Sequence, residues 1–271
     1  MSVTIIIVSY KSDSRIKKCL KNLGKKHSKI IIETSGDKNL KINLEKRYPK
    51  TKVILSSNIG YGAAMNYGVK KAKTKYVFMT TPDIILKTNT IKNLLLAARK
   101  LNDKFAFLSP VTKTYRNKSF IEVKNCKGYA IFVDKKKFQK IGGWDNNFFL
   151  FYEDHDLCLR YNEINEKIYL IPSAEVKHVI GGFYENEMIN EIEICKNWHF
   201  MWSKFYFNKK HNGLMHAYLI TFPFMFRSLI KTLFYFFLNK NKFKIYYARF
   251  SGLFNAYINK KSWYRPMIKL N

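Results

Sequence analysis

Residues 2–10 read SVTIIIVSY, and four consecutive β-branched residues, Ile5, Ile6, Ile7 and Val8, decide the fold class. Their branched side chains favour extended backbone, and a run with no polar alternation suits a strand covered on both faces. Such strands occur in parallel sheets layered between helices. Working outward, further apolar runs predict strands at 30–33, 53–55, 76–80 and 105–109, with helical patterns at 13–23, 40–47, 63–71 and 88–102. This alternation predicts βαβ units and an α/β fold on a mainly parallel sheet. Beyond residue 115 the rhythm changes to a strand at 129–133, a short helix over 135–141, the Gly-Gly-Trp-Asp turn at 142–145 and a helix from Glu153. Leu157, Tyr161, Ile164 and Ile168 recur at i, i+4, i+7 and i+11, which predicts one buried stripe on that last helix.

In an open α/β sheet, ligands gather at the carboxyl ends of the strands. There the chain places Ser9-Tyr10, then Glu33-Thr34-Ser35-Gly36-Asp37, then Thr81-Pro82-Asp83. Asn58-Ile59-Gly60-Tyr61-Gly62 opens a helix whose free N–H groups favour an anion. Neither a GxGxxG fingerprint nor a Walker motif is present, which argues against dehydrogenases and P-loop NTPases. Asp154 lies three and seven residues before Leu157 and Tyr161, so the spacing predicts that it faces inward. Each feature alone has an ordinary reading. Thr-Pro-Asp opens turns, acids complement helix N-termini, and a lone His is usually a satisfied loop or core residue.

Charge divides the chain. Of 271 residues, 49 are Lys or Arg and 19 are Asp or Glu, a net charge of +30 that calls for a polyanionic partner or surface. At 47% hydrophobic and 25% charged, the composition excludes wholesale disorder. No Asp or Glu follows Glu193, yet residues 194–271 hold 14 of the Lys and Arg residues and 22 of the 44 aromatics. A basic, aromatic, acid-free segment predicts an anionic membrane surface as the partner. The apolar stretch 214–238 is interrupted by His216, Pro223, Arg227 and Lys231, which favours lying on a membrane over crossing it. Cys19, Cys126, Cys158 and Cys195 show no metal-like or CxxC spacing, and the run 5–8 is too short for a signal-peptide core. Both point to the cytoplasm, with peripheral attachment to the inner face of the cell membrane.

In order along the chain, SVTIIIVSY, NIGYGAAMNYG, TTPD, GGWDNNFFLFYEDHDLCLR and a later His resemble glycosyltransferase family 2, of GT-A fold. The similarity spans about residues 2–185 and is greatest to bacterial rhamnosyltransferase-type enzymes of O-antigen and capsule assembly. The resemblance implies inverting transfer from a nucleoside-diphosphate sugar, dTDP-rhamnose or a UDP-sugar, to a lipid-linked glycan. By position it implies that Ser9, Tyr10 and Glu33 line the nucleotide, Glu33 standing where the family usually has Asp. Asn58, Gly60 and Asn66 would wall the same pocket, and Trp144 and Asp145 join the substrate-binding set. Asp83 matches the last acid of the metal motif for Mg2+ or Mn2+, with Thr81 in the first place, and His178 would help hold the metal or diphosphate. Asp154 matches the catalytic base and Glu153 stands beside the acceptor. On this reading 1–112 is the nucleotide-sugar half of a GT-A domain, 113–195 its acceptor half, and 196–271 a helical, membrane-associating extension. A polyprenyl-phosphate glycosyltransferase would share the fold. A nucleic-acid-binding protein would use the charge differently, but no RNA or DNA module is evident, so no nucleic-acid partner is expected.

Overall fold

The computed structural model describes residues 2–23, 26–113, 115, 118–179 and 186–266. Two compact units result: Met1–Asp145 with Glu153–Gly181, and Asn146–Tyr152 with Gly182–Asn271.

The first unit is α/β. Strand β1 (Val3–Ser9) pairs in parallel with β2 (Ser28–Glu33) and with β4 (Tyr76–Thr80), and β2 pairs in parallel with β3 (Thr51–Leu55). Adding β5 (Ile84–Leu86), β6 (Phe107–Val111), β8 (Ala130–Asp134) and β9 (Ile168–His178), the strand order is β3-β2-β1-β4-β8-β6-β9-β5. A short β7 (Ile121–Val123) pairs with β9. The chain winds outward from β1 in one direction to β3, then returns to β4 on the other side. The crevice at that reversal is where ligands bind in such sheets.

Helices cover both faces, as the Ile-rich run requires. Ile5 and Ile7 pack in one core cluster with Ile16, Cys19 and Leu20 of α1 (Asp13–Asn22), Leu40 and Leu44 of α2 (Lys38–Arg47) and Leu94 of α4 (Thr90–Lys100). Ile6 joins the opposite cluster with Ala64 and Met65 of α3 (Tyr61–Lys71), Phe138 of α5 (Lys135–Lys140) and Leu157 of α6 (Glu153–Glu163). Alternation of side chains along a strand puts neighbours on opposite faces, so an unbroken apolar run signals two covered faces.

One expectation fails here. The stripe drawn through Ile164 and Ile168 does not exist on one helix: α6 ends at Glu163, Ile164 is exposed, and Ile168 opens β9. His178 is the last residue of β9.

The second unit is helical, with α7 (Asn186–Asn212), α8 (Leu214–Leu238) and α9 (Lys240–Tyr257). Its core is aromatic: Trp198, Trp202 and Phe205 of α7 pack with Ala217 of α8 and Ala248, Leu253 and Ala256 of α9. Segment 146–152 belongs to this unit, Phe148 resting on Tyr206 and Ser203 donating to the Leu150 carbonyl.

Candidate active site

The reversal in strand order sets Ser9 and Tyr10 beside the loop that follows β4. Ser9 pairs in register with Glu33, and Ile7 with Thr80. Glu33 is fully buried; its Oε1 accepts from the backbone amides of Lys11 and Ser35 at 3.2 and 3.0 Å. That oxygen holds the two loops together. Its other oxygen, Oε2, has no partner, and neither do Ser9 Oγ, Thr80 Oγ1, Thr81 Oγ1 or Asp83 Oδ1, all of them buried. Buried polar atoms are almost always paired, so a row of orphans at the carboxyl ends of three strands calls for a ligand.

A cavity of about 410 Å³ opens beside this row, lined by Tyr10, Thr34, Ser35, Gly36, Leu55, Ser56, Ser57 and Asn58. An aromatic ring among hydroxyls and an amide has the chemistry to take a nucleoside. Gly60 is the N-cap of α3 at φ 96, a left-handed value that favours glycine. The room at Gly62, though, goes to protein: a Cβ there would meet Trp144 Cβ at 2.8 Å.

Asp83 and His178 meet through the antiparallel pairing of β5 and β9. Ile84 is in register with His178, Val179 N–H donates to the Asp83 carbonyl at 2.9 Å, and His178 Nε2 lies 3.1 Å from Asp83 Oδ2. The His178 ring rests on Tyr129, centroids 4.9 Å apart. Ile180, Gly181 and Gly182 of the KHVIGG stretch lie outside the described residues. Among the described residues no group of three or more His, Cys, Asp or Glu side chains forms a metal cluster. The unpartnered Asp83 oxygen beside an imidazole fits a divalent cation whose remaining positions are filled by phosphate oxygens and water.

The start of α6 brings two more carboxylates. Asp154 Oδ2 accepts from the Gly128 amide at 3.2 Å and Oδ1 from the His155 amide at 2.9 Å. Gly128 leaves little room for a side chain, since a Cβ would meet Trp144 Cη2 at 3.0 Å and Asp154 Cβ at 3.1 Å. The Gly128 carbonyl in turn accepts from Tyr61 Oη at 2.6 Å. Burial, then the charges of Glu153, Asp154 and Asp83, holds the Tyr61 hydroxyl well above its ordinary pKa, so it stays a donor. The inward stripe of α6 differs from the expected one. Glu153, Asp156, Leu157, Cys158 and Tyr161 are buried, whereas Asp154 is half-buried at the edge. Glu153 is pushed up to about 8 by burial first and the Asp154 charge second, and its Oε2 has no partner. Asp156 is fully buried against Arg160, whose guanidinium also donates to the Ile141 and Gly143 carbonyls, fastening α6 to the turn at 142–145.

A second cavity, of about 390 Å³, is lined by Ser109, Pro110, Thr112, Tyr115, Asn125, Cys126, Lys127, Tyr129 and His155 among others. Tyr129 forms part of its wall and also stacks on His178. Sequence reasoning did not single out Gly128, Tyr129, Lys127 or His155; only the sheet brings residues before β8 against the first turn of α6.

Two expected substrate residues do structural work. Trp144 is 1% exposed, deep in the core cluster, with its indole N–H 3.4 Å from Met79 Sδ, so it presents no surface to a substrate. Asn66 clamps it: Nδ2 donates to the Trp144 carbonyl at 2.7 Å and Oδ1 accepts from the Trp144 amide at 3.0 Å. Asp145, next along, is half-buried.

A sheet with its polar residues collected at a strand-order reversal, and with Asp and His flanking it, is the build of a GT-A nucleotide-sugar transferase. Residues 4–159 match the profile of glycosyl transferase family 2, more than half of the chain, and the chain belongs to that family. It is a glycosyltransferase. Rhamnosyltransferase WbbL of Escherichia coli (strain K12) is 27% identical over 218 residues, 65% of this chain and 83% of that protein. Among solved structures, GalNAc-T7 with UDP, GalNAc and Mn2+ superposes with TM-score 0.58 at 13% identity, over 66% of this chain and 43% of that one. Residues 1–349 of S. aureus TarS superpose with TM-score 0.55 at 15% identity, over 98% of this chain and 93% of that one. At these identities the two structures speak for the fold alone.

Proposed function

We propose that the chain transfers rhamnose, with inversion, from dTDP-rhamnose to a lipid-linked glycan at the cytoplasmic face of the cell membrane, in assembly of a surface polysaccharide. The observation that carries the transfer reading is the row of buried, unpartnered oxygens on Ser9, Glu33, Thr80, Thr81 and Asp83, with that of Glu153 at the start of α6. The choice of rhamnose rests on the similarity to the Escherichia coli rhamnosyltransferase, and the lipid-linked acceptor on the basic, aromatic chain beyond residue 193. Residues 1–112 supply the nucleotide-sugar side, 113–195 the acceptor side and 196–271 the membrane-associating part.

Tyr10 and Asn58 line the nucleoside cavity, and the second cavity takes the acceptor sugar against Tyr129 and His155. Asp83 and His178 would hold Mg2+ or Mn2+. When bound, the cation offsets negative charge on the departing nucleoside diphosphate. Asp154 takes the proton from the acceptor hydroxyl as that oxygen attacks the anomeric carbon. The Gly128 and His155 amides fix the orientation of its carboxylate. Burial and the Asp154 charge push Glu153 up to about 8, which favours its protonated form and suits it to donate a hydrogen bond beside the acceptor. Calorimetric titration of dTDP, UDP and their sugars, with Mn2+ and with EDTA, tests the donor assignment. Tight binding of dTDP-rhamnose only with the metal is expected, whereas binding of no nucleotide would defeat the reading.

A further inference from the structure

Helix α8 carries an apolar face that nothing in its own unit covers. Leu219, Phe222, Phe226, Ile230, Leu233 and Phe237 follow one another at intervals of three or four residues, so they form a single stripe along about five turns. All six are exposed, Leu219 by 71% and Phe237 by 88%. The other side of the helix is small and polar: Ala217, Thr221, Ser228 and Thr232 are buried. There Thr221 Oγ1 lies 3.0 Å from Tyr257 Oη and Tyr218 Oη donates to the Tyr257 carbonyl. The helix therefore turns its smallest residues to its neighbours and its largest apolar ones outward. Soluble proteins rarely expose so long an apolar stripe, which marks an interaction surface.

The cations say what covers it. By helical spacing the exposed Arg227 lies beside the stripe. On the side turned to α7 and α9, Lys204 stands 3.4 Å from the Phe224 ring centroid, Lys231 donates to Tyr246 Oη at 3.0 Å, and Lys242 stands over Tyr235. Lys240, Lys242 and Lys244 open α9 directly after the stripe ends, and no acid occurs after Glu193 to oppose them. A partner protein with an apolar groove needs no basic, acid-free flank; an anionic bilayer surface meets both features.

We infer that α8 lies in the plane of an anionic membrane, its Phe and Leu stripe sunk to the level of the acyl-chain boundary and its flanking Lys and Arg at the headgroups. Length and composition alone would let Leu214–Leu238 cross a bilayer. Crossing would strip the helix from α9 or carry along Lys240, Lys242, Lys244 and Arg249, and charged side chains at bilayer depth are expensive. The inference deepens the membrane part of the proposed function and is independent of the donor assignment.

The test uses full-length protein and sucrose flotation with vesicles of phosphatidylglycerol and phosphatidylethanolamine, or of phosphatidylcholine alone. The parent should float with the anionic vesicles, and F226E and L233E, at fully outward positions, should each weaken partitioning about tenfold, the loss expected for one buried apolar side chain. Circular dichroism and dTDP binding of the variants should match the parent, which separates this result from any failure of the donor reading. Bromine-labelled lipids fix the depth: a tryptophan placed by F226W should be quenched by shallow bromines and not by those at the bilayer centre. Central quenching would show a spanning helix and overturn the in-plane assignment. Equal flotation of F226E, or a parent that stays unbound and forms dimers which F226E dissociates, would overturn the membrane assignment, the latter in favour of a second copy of the chain.

Discussion

The α/β unit and the helical unit of this protein treat polar groups in opposite ways. In the first, Ser9, Glu33, Thr80, Thr81, Asp83 and Glu153 keep buried oxygens without partners, gathered at strand ends and at the first turn of α6. In the second, buried polar groups among the described residues find partners: His199 Nε2 donates to the Tyr264 carbonyl at 2.8 Å, and the Trp202 indole to the Lys260 carbonyl at 3.0 Å. What the second unit leaves uncovered is apolar, along α8. An unsatisfied polar group marks a site for a polar ligand, and an uncovered apolar face marks a surface for an apolar one. The contrast teaches that the two units present different chemistry, a polar crevice in one and an uncovered apolar face in the other.

The largest break in this comparison should come at Asp154. Asp154→Asn is nearly isosteric but cannot take a proton, so turnover should fall by at least about 100-fold in a variant that still folds; its melting temperature should drop modestly, because the new NH2 faces one of the two backbone amides that the carboxylate accepts from. Near-parent transfer by a folded variant would remove Asp154 from its role. Glu153→Gln should by contrast keep turnover within a few-fold, because burial and the Asp154 charge favour the protonated form that Gln mimics.

Next in size is Asp83. Asp83→Ala should reduce donor affinity in Mn2+ by about 10- to 100-fold, and EDTA should bring the parent to the level of the variant. Calorimetry in both buffers checks it; an Asp83→Ala variant that still responds to EDTA would place the cation elsewhere.

Gly128→Ala sharpens the geometry. Its Cβ would press on Asp154 Cβ and the Trp144 ring, moving the carboxylate by a few tenths of an ångström. Turnover should fall about tenfold while donor affinity holds, since small misplacements of a catalytic group are costly. Equal loss of both would mean that the unit itself has been disturbed.

The smallest effects are in stability, and they have opposite signs in the two units. Glu153, raised to about 8 from 4.5, contributes stability that is complete below about 4.5 and lost as pH rises toward 8. His199 is lowered to about 3 from 6.5, chiefly by burial, so its contribution is present above 6.5 and lost as pH falls toward 3. Between pH 5 and 6.5 the two slopes oppose each other in the parent. Glu153→Gln should therefore gain about 2 kcal/mol over the parent on going from pH 5 to 7, and His199→Gln should gain stability relative to the parent on going from 7 to 5. Urea titrations at both pH values check the signs.

The sequence by itself determined the α/β class, because the β-branched run from Ile5 to Val8 favours a strand covered on both sides and alternates with helical patterns that supply the cover. It also determined the chemical character of the two units, since net charge and aromatic content are properties of composition. Ser9, Glu33 and Asp83 were legible because they directly follow or flank apolar runs, and strand ends are where such sheets bind ligands. Only the tertiary structure decided which of the named residues reach the site. Asn66 and Trp144 sit in motifs that read as substrate-binding, yet they bind each other, because a buried indole and its backbone need partners within the core. The meeting of Asp83 with His178, 95 positions apart, depends on antiparallel register between β5 and β9, which no local spacing encodes. The same holds for Gly128 under Asp154. And α8 reads as apolar nearly all round; only its packing, with Ala217, Thr221, Ser228 and Thr232 turned inward, decided which face remains outside.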